Sequence, residues 1–173
     1  MTFRLTEEQL MIQSMVRDLA REEFAPRAME LDHKKEFPAA NLRKLAELGL
    51  MGMMVPAEYN GSGADAVSYV LALSEVAYAC ASTAVVMSVH NSIVCESLNT
   101  YGTVDQKERF LKRLAAGEII GAFALTEPNA GSDPLRQTTK AVRRGDGYVL
   151  TGRKRFITSG RNGGLVIVTA KTD

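Results

Sequence analysis

The chain has 173 residues, 46% hydrophobic and 24% charged, which is ordinary for a globular protein long enough to bury a core. Twenty-one basic residues against twenty acidic leave +1, so charge makes no case for nucleic acid or an anionic membrane surface. Two cysteines are too few for a disulfide framework, and no apolar run is long enough to span a bilayer. Cys80 and Cys95 lie in apolar helical runs, where reduced, buried small residues are expected. The start, MTFRLTEEQ, has no apolar signal region, so a cytoplasmic location is expected, or the mitochondrial matrix if a transit peptide has been removed.

The first two-thirds reads as helix. Thr6 and Gln9 form a capping box, and Ile12, Met15, Val16, Leu19 and Ala20 mark an apolar face. A break or kink is expected near Pro26. Pro38 suits the first position of a second helix, carried by Leu42, Leu45, Ala46 and Leu48 to a stop at Gly49. Residues 56–64 are loop. Asp65 can cap a helix bearing Val67, Val70, Leu71, Leu73 and Val76. Ser82 or Thr83 is expected to cap another from Ala84 to about Leu98, apolar all round and therefore buried. His90 lies on it, with His33 the only other histidine; a hydrogen-bonded histidine is the default, and no metal site is expected. Thr103 and Gln106 form a second capping box before the stripe Phe110, Leu111 and Leu114, which ends at Gly117.

After Gly117 the period changes to that of strands: Glu118–Thr126, Thr138–Arg144, Tyr148–Thr151, Lys154–Thr158 and Leu165–Ala170. Gly145-Asp146-Gly147 marks a hairpin turn. Helices first and strands second define an α+β chain: an all-α unit over 1–117, then an incomplete antiparallel β domain over 118–173. Within it, GAFALTEPNAGSD (121–133) runs from small apolar residues to a hydroxyl at Thr126. Glu127, Pro128 and a small-residue loop follow, a pattern suited to a flat polar ligand carrying phosphate. KRFITSG (154–160) again sets an aromatic and a hydroxyl side by side. Together they suggest a cofactor held between two strand ends.

These two stretches, with ELGLMGMMVPAEYNGSG, CASTAVVMSVHNS and YGTVDQKERFLKRLAAGE in the same order, resemble the acyl-CoA dehydrogenase family of flavoproteins, most of all its short-chain members. The resemblance covers nearly the whole chain. It implies a helical N-terminal domain, a middle β domain and a C-terminal helical domain, with FAD between the last two and a homotetramer overall. It further implies an acyl-CoA substrate and electron-transfer flavoprotein as acceptor. Carried over, Phe123, Leu125, Thr126, Gly131 and Ser132 line the flavin and its pyrophosphate, with Ser132 also near the acyl-CoA. Phe156 packs on the ring, and Ile157 and Thr158 follow it, the Thr158 hydroxyl beside flavin N5. Asn129 stands where the family more often has Gly, and Ser159 where it has Asn.

The family's reaction removes a proton from Cα and a hydride from Cβ of an acyl thioester. The protein must orient the flavin and stabilise its developing charge, and a carboxylate must take the proton. The resemblance places that base, a glutamate, in the C-terminal domain, so no catalytic residue is expected within this chain and the chain alone is expected to be inactive. Glu127 is read as capping its own turn, Asp133 as fixing its loop, and the Arg143-Arg144 and Arg153–Arg155 clusters as solvated charges that could meet CoA phosphates. Acyl-CoA and nitroalkane oxidases share the architecture and are the alternative enzyme reading; a non-catalytic interaction module is the third.

Overall fold

A computed structural model describes residues 4–172; Met1–Phe3 and Asp173, inside the domain limits expected above, lie outside the described residues. Thr6 opens α1 (Glu7–Leu19) through a complete capping box: its hydroxyl accepts the Gln9 N–H at 3.2 Å, and the Gln9 side chain accepts the Thr6 N–H at 3.0 Å. The apolar spacing puts Val16 and Ala20 in the core. At Ala20–Phe24 the helix widens into a π turn and continues as α2 (Ala25–Lys34), with Pro26 in its first turn. Pro26 lacks an N–H and crowds the carbonyl four residues back, so a wide turn just upstream accommodates it. The expected break is a distortion within one long helix.

Helix α3 (Ala39–Glu47) begins one residue later than expected, with Pro38 in the cap position. It ends before Gly49, whose φ of +71° fits glycine alone without strain. Helix α4 (Ala66–Ala79) is capped by Asp65, whose carboxylate accepts the Ser68 N–H at 2.7 Å and the Gln9 amide at 3.0 Å. Its packed stripe is Tyr69, Ala72 and Val76, while Val67 and Val70 face out, since apolar residues occur on both sides of this helix. Arg17 grips Glu75 in a two-point pair at 2.7 and 3.1 Å, lacing α1 to α4.

Helix α5 (Ala81–Ser88) starts from Cys80, not from Ser82 or Thr83. Thr83 is unavailable as a cap because it is fully buried, accepting the Asn41 amide at 3.0 Å and donating to the Cys80 sulfur at 3.1 Å. A second π segment, Val89–Cys95, leads into α6 (Glu96–Tyr101). The Thr103–Gln106 box caps α7 (Val104–Gln106), which passes through a π turn, Lys107–Leu111, into α8 (Lys112–Ala115). Gly117 then turns the chain at φ +70°, where a Cβ would lie 2.4 Å from that of Ala46.

Two strand pairs follow. Strand β1 (Gly121–Ala124) pairs with β4 (Leu165–Val168), Gly121 opposite Leu165, and this pair is parallel. Strand β2 (Lys140–Arg144) pairs with β3 (Gly147–Thr151) antiparallel, across the expected Gly145-Asp146 turn. The α+β class therefore holds, with the antiparallel expectation met in the hairpin and corrected at β1–β4. The turn, hairpin and loop between those strands supply the long crossover that parallel pairing needs. The expected strand Lys154–Thr158 is irregular.

One face of the β1–β4 pair joins the helical core: Phe123, Leu165 and Ile167 pack with Val94, Leu111 and Leu114. The hairpin stands clear, with Val149 and Leu150 half exposed. His90 joins the two halves. Its Nε2 lies 3.0 Å from the Leu114 carbonyl, which can only accept, so Nε2 carries the proton and Nδ1 accepts the Gly121 N–H at 3.0 Å. Burial pushes this imidazole down to about 4, so it is neutral around pH 7. The neighbouring Asn91 accepts from the Met53 N–H and donates to the Leu50 and Met87 carbonyls, fixing the loop after α3. His90 is hydrogen-bonded and both cysteines are free and buried, as expected; burial pushes the Cys95 thiol up to about 12.

Candidate functional site

The site begins where β1 ends. Phe123, Leu125 and Thr126 are half-buried there. Glu127 and Ala130 exchange backbone hydrogen bonds at 2.8 and 3.2 Å, closing a tight turn over Pro128 and Asn129. Pro128 presets the backbone for the first corner position. Gly131 and Ser132 then run exposed, and a Cβ on Gly131 would meet nothing within 4 Å. This glycine has an ordinary φ, so openness and not a left-handed turn marks the loop. Asp133 holds the exit, accepting the Leu135 N–H at 3.2 Å.

Glu127 does cap its turn, and from inside the fold. At 4% exposure its carboxylate takes the Thr138 N–H at 2.6 Å, the Thr138 hydroxyl at 2.8 Å, the Thr139 N–H at 3.0 Å and the Lys154 ammonium at 3.0 Å. The Thr139 side chain against it, the Thr138 N–H and Lys154 hold it well below the usual carboxylate range despite burial. A carboxylate so satisfied is a poor base. Lys154 is the residue that sequence reasoning missed. Flanked by Arg153 and Arg155, it reads as surface charge, yet only 12% of its side chain is exposed. Only its distant acceptors, brought in by the fold, distinguish it.

Those acceptors explain why 154–158 is no strand. The backbone leaves β3, passes under the β1 end, and the Arg155 N–H donates to the Thr126 carbonyl at 2.8 Å. Phe156 then takes φ +56° and Ser159 φ +61°. Positive φ is rare for an aromatic residue, and such strain of about 1–3 kcal/mol persists only where neighbours over-determine it. Here it turns the Phe156 ring outward, 78% exposed, with the Arg155 guanidinium 4.3 Å from its centre. An exposed aromatic with one face covered by a cation leaves the other for a flat partner.

Beyond Phe156 the turn faces the helices. Ile157, Thr158 and Ser159 line one wall of a cleft of about 550 Å3; Phe37 and Pro38 before α3, and Val85 and Val86 of α5, line the other. Lys35, Glu36 and Arg161 stand among its lining residues. The Ser159 Oγ is buried with no hydrogen-bond partner among the described residues. An orphaned hydroxyl, an outward aromatic and an open small-residue loop are what a flavin dinucleotide would use: ring stacking, ring-edge hydrogen bonds and room for phosphate. The residues fit that group.

The structure thus brings Leu125 and Thr126 beside the turn that carries Phe156, Ile157 and Thr158, through the Thr126–Arg155 bond. Gly131 and Ser132 lie beyond the Glu127 turn. Phe123 belongs in part to the packed underside of β1. Arg143 and Arg144 are exposed on the hairpin, away from the cleft lining. Among the described residues no cluster of ligands could hold a metal, and no helix is long and apolar enough to cross a membrane.

Helices followed by this β edge define an α+β scaffold with one open edge, and comparison supplies the family. Residues 6–118 match the acyl-CoA dehydrogenase N-terminal domain and residues 122–173 the acyl-CoA dehydrogenase middle domain. The chain belongs to the acyl-CoA dehydrogenase family. It is 43% identical over 173 residues to the short-chain specific acyl-CoA dehydrogenase of Clostridium acetobutylicum, covering 100% of this chain and 46% of that protein. It is 42% identical over 175 aligned positions to the acryloyl-CoA reductase (NADH) of Anaerotignum propionicum, covering 100% of this chain and 44% of that one. The butyryl-CoA dehydrogenase structure from Megasphaera elsdenii superposes with a TM-score of 0.94 at 39% identity, covering 100% of this chain and 46% of that one. A glutaryl-CoA dehydrogenase from Mycobacterium smegmatis, solved in complex with FADH2, gives 0.93 at 34% identity, covering 98% and 44%. The chain spans about half the length of the relatives it matches.

Proposed function

We propose that this chain supplies the flavin-facing edge of an acyl-CoA dehydrogenase, oxidising a short or branched acyl-CoA to its trans-2-enoyl thioester. The Thr126–Arg155 hydrogen bond carries the reading, because it joins the two motifs into one edge beside the cleft. Bound FAD would supply the hydride-accepting chemistry. The chain's part is to hold it. Phe156 would stack on the ring, the Thr126 and Thr158 hydroxyls would bond its edge, and Gly131 and Ser132 would give the pyrophosphate an open loop. A division near residue 117 between a helical and a middle domain, a homotetramer, and electron-transfer flavoprotein as acceptor are proposed on family membership.

We place the proton-abstracting base outside residues 1–173, so that this chain alone does not turn over acyl-CoA. Glu127 is engaged on every side, and the cleft's carboxylate, Glu36, is exposed on the turn after α2. The test is anaerobic dye reduction with butyryl-CoA and added FAD. Turnover by residues 1–173 that disappears in Glu36→Gln would contradict the placement. In an assembled, active enzyme, Thr158→Ala should slow flavin reduction by roughly ten- to a thousandfold with little change in substrate affinity, the effect of removing a donor aimed at developing charge. The similarity to an acryloyl-CoA reductase supports a second reading, in which the same edge works in the reductive direction. Reduction of an enoyl-CoA by NADH, with no oxidation of the saturated thioester, would favour it.

A further inference from the structure

We propose that Lys154 is the positioning residue of this edge: its ammonium sets how the Thr126 end of β1 and the Phe156–Thr158 turn stand relative to each other. The proposal rests on the flavin reading above. Lys154 Nζ reaches the Leu125 carbonyl at 2.9 Å, Glu127 Oε1 at 3.0 Å, Thr169 Oγ1 at 3.3 Å and Gln137 Oε1 at 3.4 Å. These acceptors belong to four segments: the end of β1, the tight turn, the approach to β2 and the end of β4. A lysine ammonium has three N–H donors and no acceptor, so this set consumes it. With its donors spent and its side chain outside the cleft lining, Lys154 touches no reacting group.

Its effect on the site is through the backbone. Residue 154 is anchored to Leu125 and Glu127 on either side of Thr126, and the next N–H, of Arg155, bonds the Thr126 carbonyl itself. The left-handed turn at Phe156 starts one residue later. Position and strain at Phe156 are therefore set from Lys154. Thr169 closes the clamp, donating to Gln137 at 2.9 Å.

A buried ion pair serving stability alone can often be replaced by apolar residues at no cost, whereas losing one partner leaves an unpaired buried charge. The test therefore removes both charges, in Lys154→Met with Glu127→Gln. A milder variant, Thr169→Val, keeps the pair and deletes one hydroxyl. Each variant, in an enzyme assembled with the domain that completes the flavin site, is melted by circular dichroism, titrated with FAD by flavin fluorescence, and read by the visible circular dichroism of bound flavin, which reports ring orientation. The double variant should melt cooperatively, bind FAD at least about tenfold more weakly and show an altered visible band; Thr169→Val should lose about two- to tenfold with a band change of the same sign. Lys154→Arg should not restore the band, because a planar guanidinium cannot place donors around one point as an ammonium does. Wild-type affinity and band shape in the double variant would overturn the proposal. A wild-type assembled enzyme that takes up no flavin would overturn the reading beneath it, and the clamp's role with it.

Discussion

Up to Ile120 the largest fully buried side chains are Phe24, Leu45, Met51, Met87, Leu111 and Leu114, whereas beyond it the buried residues are Gly121, Ala122, Ala124, Glu127, Ala130 and Thr139. The helical half is held by apolar volume. Three of its buried polar side chains tie pieces together: Asn41 bonds Thr83 of α5, while His90 and Asn91 bond backbone groups beyond their own helix. The β half has little volume to bury. It is tied by hydrogen bonds around one buried ion pair, and its outward side chains, Phe156 and the hairpin residues, remain exposed. A half that packs is a scaffold; a half that is tied and open presents its side chains outward.

The largest expected effect separates the halves by truncation. Leu45→Ala, in a fully buried position, should cost about 2–5 kcal/mol in denaturant unfolding, through lost transfer energy and an unfilled cavity. A smaller loss would mean that the helical core is loosely packed.

The His90 seam comes next. Its folded value of about 4 lies below the ordinary 6.5, so the unfolded chain binds the extra proton between those pH values. Stability should be full above about pH 6.5 and fall as the pH drops, with roughly 3 kcal/mol lost by pH 4. His90→Gln should remove the part of that slope lying above the carboxylate range, between about pH 5 and 6.5. A slope unchanged in the variant would assign it to the carboxylates.

Capping is a smaller term. Thr6→Ala removes the hydroxyl of a complete box and should cost about 1 kcal/mol. Smallest of all, Leu150→Ser on the hairpin should change stability by less than about 0.5 kcal/mol, because that side chain is already half exposed. A loss as large as that of Leu45 would show the hairpin face to be covered, by another copy or by ligand.

The same contrast governs what was legible in the sequence. Capping boxes at Thr6 and Thr103, the Asp65 cap and the Gly49 and Gly117 turns are local signals, and each marks the terminus it implies. Where several apolar faces compete, as at Val67 and Val70, periodicity does not choose which one packs. The β edge depends on partners far apart in the chain. Nothing local marks Lys154 as buried between two arginines, or gives Phe156 a positive φ, and a strand pattern over 154–158 cannot anticipate carbonyls that arrive from β1. The motif residues were legible as a set through family resemblance. Their arrangement, a turn folded under a strand end, required the fold.

Amide hydrogen exchange with and without FAD, measured on the assembled enzyme, tests the central claim most directly, since it maps where the cofactor touches these residues. Exchange should slow at residues 125–132 and 155–160 on adding FAD, with α1 and α4 unchanged. Protection confined to the hairpin at 140–151, or none anywhere, would contradict the assignment of the Thr126 and Phe156–Thr158 turns as one flavin-binding edge.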